Sequence, residues 1–321
     1  MLKIGIISNP RSHRNRRHMA GLRELIVGEA EVLHEEIDHM AGLAEILADF
    51  SRREVGRIVV NGGDGTVQAV MTALLNNGGA DEPPTLAVLA SGRTNLIAHN
   101  IGLAGSPRDG LARLFARRRH GDPLEGVSRP VLSLDLGGGG AVIHGMFLGS
   151  AAFYRGTMIG RTSFHPLGAV GPAVVGLSLG LVLARALLGR PGGILQGDAM
   201  TVIHDDDREA ARSRDYFLIL ATTLDHLILG LTPFWDDGGG TGALRLTTVT
   251  YPPPRLARAL LPLARGRPRP WMAECGYRSR RLARVTLVSA CPIVFDGQIF
   301  TPDPAVPVTI GGGRSLRFLR C

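Results

Sequence analysis

Residues 57–68 read RIVVNGGDGTVQ. An apolar, β-branched run of the kind that fills a buried strand breaks into two glycines, an aspartate, a third glycine and a threonine, and a helical pattern follows. Working outward, Leu2–Ser8, Glu31–Ile37 and Thr85–Leu89 read as further short strands. Asn15–Val27, Ala41–Arg52 and Val67–Leu75 read as helices, the second with apolar Leu43, Ile46, Leu47 and Phe50 on one stripe. Alternating β and α elements with short apolar strands predict a parallel sheet covered by helices. The fold class expected is therefore α/β: a doubly wound domain over residues 1–122, closed by the helix in LARLFARRRHG.

From Pro123 the texture changes. Short runs recur at 131–137, 141–149, 216–222, 243–249, 283–289, 292–297 and 307–312, separated by Gly, Pro and Asp turns. They predict an antiparallel β-sandwich-like domain over residues 123–321. A chain of 321 residues is long enough for two such domains, each with its own core. The 43 glycines point to many tight turns and close backbone approaches.

The formal charge of +8 invites an anionic partner (nucleic acid, membrane headgroup or phosphate) or simply keeps the chain in solution. The basic runs at Arg11–Arg17 and Ala116–His120 have no interleaved aromatics, and no zinc-finger, RNP-like or basic-zipper pattern occurs, so nucleic acid is not expected. Cys275, Cys291 and Cys321 have neither CxxC spacing nor a histidine cluster, which argues against a disulfide framework and fits a reducing cytosol. The apolar stretch in MLKIGIISNPRS is too short for a signal-peptide core and reads as a first strand. Residues 166–184, PLGAVGPAVVGLSLGLVLA, carry no charge. Their prolines and glycines suggest a helix starting at Pro172; it reads as a buried or groove-lining segment, as one dipping into a bilayer surface, or as a span.

The glycine loop has a chemical reading. A strand ending in Gly62, Gly63, Asp64, Gly65 and Thr66 and feeding a helix places successive N–H groups at a helix N-terminus, where the dipole favours an anion and glycines let phosphate oxygens approach. Asp64 cannot bind phosphate itself. It makes sense as a group that handles Mg²⁺, orients a hydroxyl or accepts a proton, or else as a cap on the helix from Val67. A second glycine loop, SGRTN at 91–95, follows the next strand, so parallel strands should deliver both loops to one crevice. There Asn95 bonds a phosphate or ribose, or caps its helix. Arg93 clamps a phosphate through two parallel hydrogen bonds, or points to solvent.

The ordered set NPRS (9–12), VVNGGDGTVQAV (59–70), SGRTNLIAHNIG (91–102) and FDGQIF (295–300) resembles the diacylglycerol kinase catalytic family of lipid kinases, which includes sphingosine and ceramide kinases. The resemblance runs in order along nearly the whole chain, whereas GGDGT alone is shared with NAD kinases and phosphofructokinases. It implies ATP and Mg²⁺ as cofactors, with Gly62–Gln68 (Val67 included) and Gly92 around the phosphates and Asn9 lining the nucleotide pocket. It implies transfer of the γ-phosphoryl group to a hydroxyl of a diacylglycerol-like or sphingoid lipid. The family's late Asp-Gly-Glu falls on Asp296, Gly297 and Gln298; the glutamate that would take the lipid's proton is here an amide, which leaves Asp64 or Asp296 to supply a carboxylate. TPFWDDGG resembles the family's metal loop, which makes Asp237 a metal ligand, or an ordinary Asp-Gly turn. The expected setting is cytoplasmic, peripheral to an anionic membrane that supplies the lipid substrate, and a homodimer is a possible assembly. The other classes consistent with these residues are a catalytically weak lipid- or nucleotide-binding regulator of the same fold and a soluble NAD kinase-like enzyme.

Overall fold

The computed structural model describes residues 3–37, 39–77, 83–164, 180, 195–204, 213–238 and 240–319. The helix expected from Pro172 lies outside them. Two compact units are present: residues 1–130 with 315–321, and residues 131–314.

In the first unit the strands β1 (Lys3–Ser8), β2 (Val32–Glu36), β3 (Val55–Gly62) and β4 (Thr85–Ala90) pair in parallel in the order β4-β3-β1-β2. The end of the last strand, β15 (Val308–Leu319), joins beyond β4, with Phe318 opposite Leu86. Five helices connect the strands: α1 (Asn15–Ile26), α2 (Leu43–Arg52), α3 (Asp64–Asn76), α4 (Leu96–Ile101) and α5 (Pro107–His120). In α2, Leu43, Leu47 and Phe50 fall on one stripe and are buried. Phe50 packs closely on β1 because residue 5 is glycine: a Cβ there would sit 2.3 Å from the ring. Both ends of α5 are written in the sequence. The Ser106 hydroxyl accepts the Asp109 N–H, Pro107 opens the first turn, Arg117–His120 fill the last, and Gly121 closes it at φ 74°. One core cluster under the sheet joins Ile4, Ile6, Val59, Leu89, Leu114, Phe115 and Leu319.

The second unit is antiparallel in its strand pairing, as the alternating runs predict. Its strands are the end of β5 (Gly126–Asp135), β6 (Ile143–Gly145), β7 (Phe147–Ala151), β8 (Asp198–His204), β9 (Arg214–Thr222), β10 (Leu244–Thr250), β11 (Tyr277–Leu282), β12 (Arg284–Val288), β13 (Ile293–Phe295), β14 (Gln298–Phe300) and the start of β15. Short helices α6 (Ala152–Ile159), α7 (Leu256–Ala264) and α8 (Pro270–Glu274) pack on it. One core joins Leu132, Leu148, Ile219, Leu246, Phe295 and Ile310, and a second joins Phe217, Val249, Ala259, Met272 and Tyr277.

Candidate functional site

β1 lies between β2 and β3, so the chain order reverses there and the loops leaving β1 and β3 open side by side. A polar web ties those strand ends together. The Asn61 amide donates to Ser8 Oγ at 3.0 Å, and the Ser91 hydroxyl donates to Asn61 Oδ1 at 2.5 Å. Asn15 Nδ2 donates to the carbonyls of Asn9 and Asn61 at 2.8 and 3.0 Å. Buried amides and hydroxyls joined in one web hold a loop in one conformation, with Asn15 Oδ1 left without a partner in it.

The GGDGT turn sits on that base. Gly62 ends β3, and a Cβ on it would lie 2.5 Å from Thr66 Cβ. The Gly63 carbonyl accepts from the N–H groups of Thr66 and Val67 at 2.9 and 3.1 Å. The hydrogen-bonded ladder of α3 begins there, and the N–H groups of Gly63, Asp64 and Gly65 are the set that a helix N-terminus leaves for an external acceptor. The second loop touches the first through bare backbone: a Cβ on Gly92 would lie 2.6 Å from Gly63 Cα. Asn9 joins them, donating from Nδ2 to Thr66 Oγ1 at 3.1 Å. Of the residues expected around phosphate, Gly62, Thr66, Val67, Gln68, Gly92 and Asn95 are buried, whereas Asn9, Gly63, Asp64 and Gly65 are half-buried.

Asn95 neither caps α4 with its side chain nor points outward. It closes its own loop, accepting from Gly92 N–H at 2.6 Å and donating to Gly92 O at 3.0 Å, with its backbone at φ 53°. Arg93 is exposed. Asp64 plays a definite structural part, in which Oδ1 accepts the Ile97 N–H at 2.9 Å and Oδ2 the Leu96 N–H at 3.1 Å. The acid in the glycine turn therefore anchors the first turn of α4, 32 residues downstream, rather than its own helix. Burial pushes its carboxyl above the usual range, against the opposing pull of the Ile97 and Leu96 amides.

In the second unit, Asp296 and Gly297 form a two-residue hairpin between β13 and β14, with φ of 45° and 87° and Phe295 paired to Gln298. The buried Asp296 carboxylate accepts the N–H groups of Met146 and Phe147, both at 2.9 Å. Gly145 makes room for it, since a Cβ there would meet Asp296 Oδ2 at 2.2 Å. Gln298 is exposed, and Arg161 donates to the Gly297 carbonyl. The Asp237 carboxylate accepts the Trp235 indole N–H at 2.6 Å and the Ser279 N–H at 2.9 Å. Each Asp237 oxygen thus takes one N–H, which makes the residue a clamp on its turn, and no group of three or more His, Cys, Asp or Glu gathers among the described residues.

Residues 3–123 match the family model of the diacylglycerol kinase catalytic domain. No curated protein sequence matches the chain. Among solved structures, a provisionally assigned diacylglycerol kinase from Bacillus anthracis strain Sterne superposes with a TM-score of 0.64 at 15% identity, covering 99% of this chain and 96% of that one. A second diacylglycerol kinase structure from the same strain gives 0.59 at 13% identity, with coverage of 99% and 96%. At these identities the likeness speaks for the fold.

Proposed function

We propose, for a chain whose residues 3–123 belong to the diacylglycerol kinase catalytic domain family, that it is an ATP-dependent phosphotransferase acting on a lipid hydroxyl. The observation that carries this is the pair of bare glycine turns, Gly62–Gly65 and Gly92, in backbone contact at the strand-order reversal, with the N-terminal N–H groups of α3 above them. In this reading the chain's own residues position and neutralise: the α3 N-terminus takes the nucleotide's phosphates, Asn9 and Thr66 hold the turn, and Asp64 fixes the second loop through α4. Mg²⁺, when bound, supplies charge neutralisation on the phosphates. The lipid, of diacylglycerol or ceramide type, is reached at an anionic membrane surface, to which a chain of formal charge +8 is attracted.

A specific observation favours a second reading, a nucleotide- and lipid-binding protein with little turnover. Asp64 and Asp296 each spend their carboxylate on two backbone N–H groups, and residue 298 is an amide. Transfer of labelled phosphate from ATP with Mg²⁺ to diacylglycerol or ceramide in mixed micelles tests both. The kinase reading expects labelled lipid from the wild type and none from Gly63→Val, which places a branched side chain over the turn. ATP binding without transfer, with transfer appearing in Gln298→Glu, establishes the second reading. Absence of ATP binding overturns both.

A further inference from the structure

The second unit contains a cavity of about 570 Å³ that none of the candidate site residues above lines. Its floor is one face of the β8-β9-β10-β11 sheet, and the register explains how that face became cationic. On β11, Arg278 and Arg280 stand opposite Thr248 and Leu246 of β10. On β9 the pairing passes from Leu218↔Val249 to Tyr216↔Thr250, so Phe217 is an extra residue. That bulge reverses the alternation. Phe217 turns into the core of Val249 and Tyr277, while Tyr216 and Arg214 swing onto the face shared with Thr248, Arg278 and Arg280. Arginines thus rise on both sides of a low floor of threonine hydroxyls, with His204 at the end of β8 beside them.

The end of α8, Glu274 to Gly276, lines the cavity where β11 begins. Gly276 comes so close that a Cβ on it would meet Thr250 Oγ1 at 1.8 Å, and its carbonyl accepts the Thr250 N–H at 3.1 Å. Among the described residues, Glu274 is the one carboxylate in the lining, and Arg214, Arg278 and Arg280 form no ion pair. Like charges gathered in a concavity repel one another, which a bound anion reverses. Val202, Leu246, Pro252 and Pro254 supply apolar wall for the remainder of a ligand.

The arginine end of the cavity lies away, within its own unit, from the Asp296 hairpin, although Leu246 at its other end pairs with Ala221 next to Thr222. Thr222, at the other end of β9, donates to the Met146 carbonyl at 2.8 Å, next to the amides Asp296 holds. Eight residues of extended strand separate Thr222 from Arg214, about 26 Å.

We infer that this cavity binds a phosphomonoester, with the guanidinium groups of Arg214, Arg278 and Arg280 taking the dianion and the apolar wall taking the carbon skeleton next to it. The group comes either from a soluble phosphate ester or from the headgroup of a phosphomonoester lipid. The inference does not depend on the kinase reading.

Cys275 lines the cavity and is partly exposed, whereas Cys291 is buried, so the chain carries its own footprint. The test follows iodoacetamide labelling of each cysteine by peptide mass spectrometry on the full chain at matched ionic strength. One arm adds glycerol phosphate. The other adds phosphatidylcholine vesicles with or without phosphatidic acid. A phosphomonoester at about four times its dissociation constant should slow Cys275 labelling by roughly fivefold, following simple occupancy, and Arg278→Glu/Arg280→Glu should remove the protection. Protection by glycerol phosphate assigns a soluble ligand; protection by phosphatidic acid vesicles alone assigns a lipid headgroup. Slow labelling of Cys291 verifies folding, and Arg278→Gln/Arg280→Gln replaces the reversed pair where it fails. No protection by either phosphomonoester, equal protection by phosphatidylcholine alone, or protection that survives both arginine pairs overturns the inference.

Discussion

Asp64 illustrates how one residue's chemistry is set by its neighbours. A lone acid among glycines reads as a cation or proton handler, and it is the natural choice for mutation. In the fold its two oxygens accept the first N–H groups of α4, so its removal strands two amides. We expect Asp64→Ala to cost about 1–3 kcal/mol, the usual penalty for amides left without an acceptor. Hydrogen exchange should accelerate at the amides of Leu96 and Ile97. An Asp64 that acts purely in chemistry would leave those exchange rates unchanged while lowering turnover, so the two roles separate in one experiment. The glycine turn itself was legible in the sequence as a break between strand and helix, although only Gly62, against Thr66, answers to local sterics, while Gly63 and Gly92 are bare where the two loops touch. The partner of Asp64 was not, because it lies 32 residues away on another element.

At the scale of elements, β-strands with an apolar stripe were readable, and those that hide it were not. β11, YRSRRL, escapes a hydrophobic pattern because Tyr277 and Ser279 face inward while three of its residues are arginines. β8, DAMTVIH, sits beside stretches without a strand pattern and was likewise missed. The expected start of α3 at Val67 falls three residues late, since the turn residues Asp64–Thr66 already take helical form. β6 carries a titratable residue with a consequence for stability. His144 is buried opposite Ser133, and burial, aided by the positive charge of Arg314, lowers its pKa to about 4. The unfolded chain, titrating near 6.5, then binds more protons than the native one between these values, so stability is full above 6.5 and falls as the pH drops toward 4. The loss is at most about 3 kcal/mol at 1.36 kcal/mol per pH unit. Chemical denaturation at pH 7 and pH 5 should show this slope in the wild type and a shallower one in His144→Gln; equal slopes would contradict it.

For the whole molecule, the path of the chain's end matters most. Residues 315–321 belong to the first unit, where Leu316, Phe318 and Leu319 are almost fully buried. Burial of three such side chains contributes roughly 5–8 kcal/mol, comparable with the whole stability of a typical domain. Deleting residues 315–321 should therefore leave the first unit open to proteolysis at temperatures where the full chain resists it; unchanged resistance would show that β15 is dispensable there. The sequence by itself determined the α/β alternation, the antiparallel texture beyond residue 123 and the glycine turn, because strand, helix and turn preferences act over a few residues. Only the tertiary structure decided that the final strand returns to the first sheet, that Asp64 serves α4, and that a one-residue bulge brings Arg214 to the cavity face that carries Arg278 and Arg280. Each of those depends on contacts between residues far apart in the chain, which local propensity does not encode.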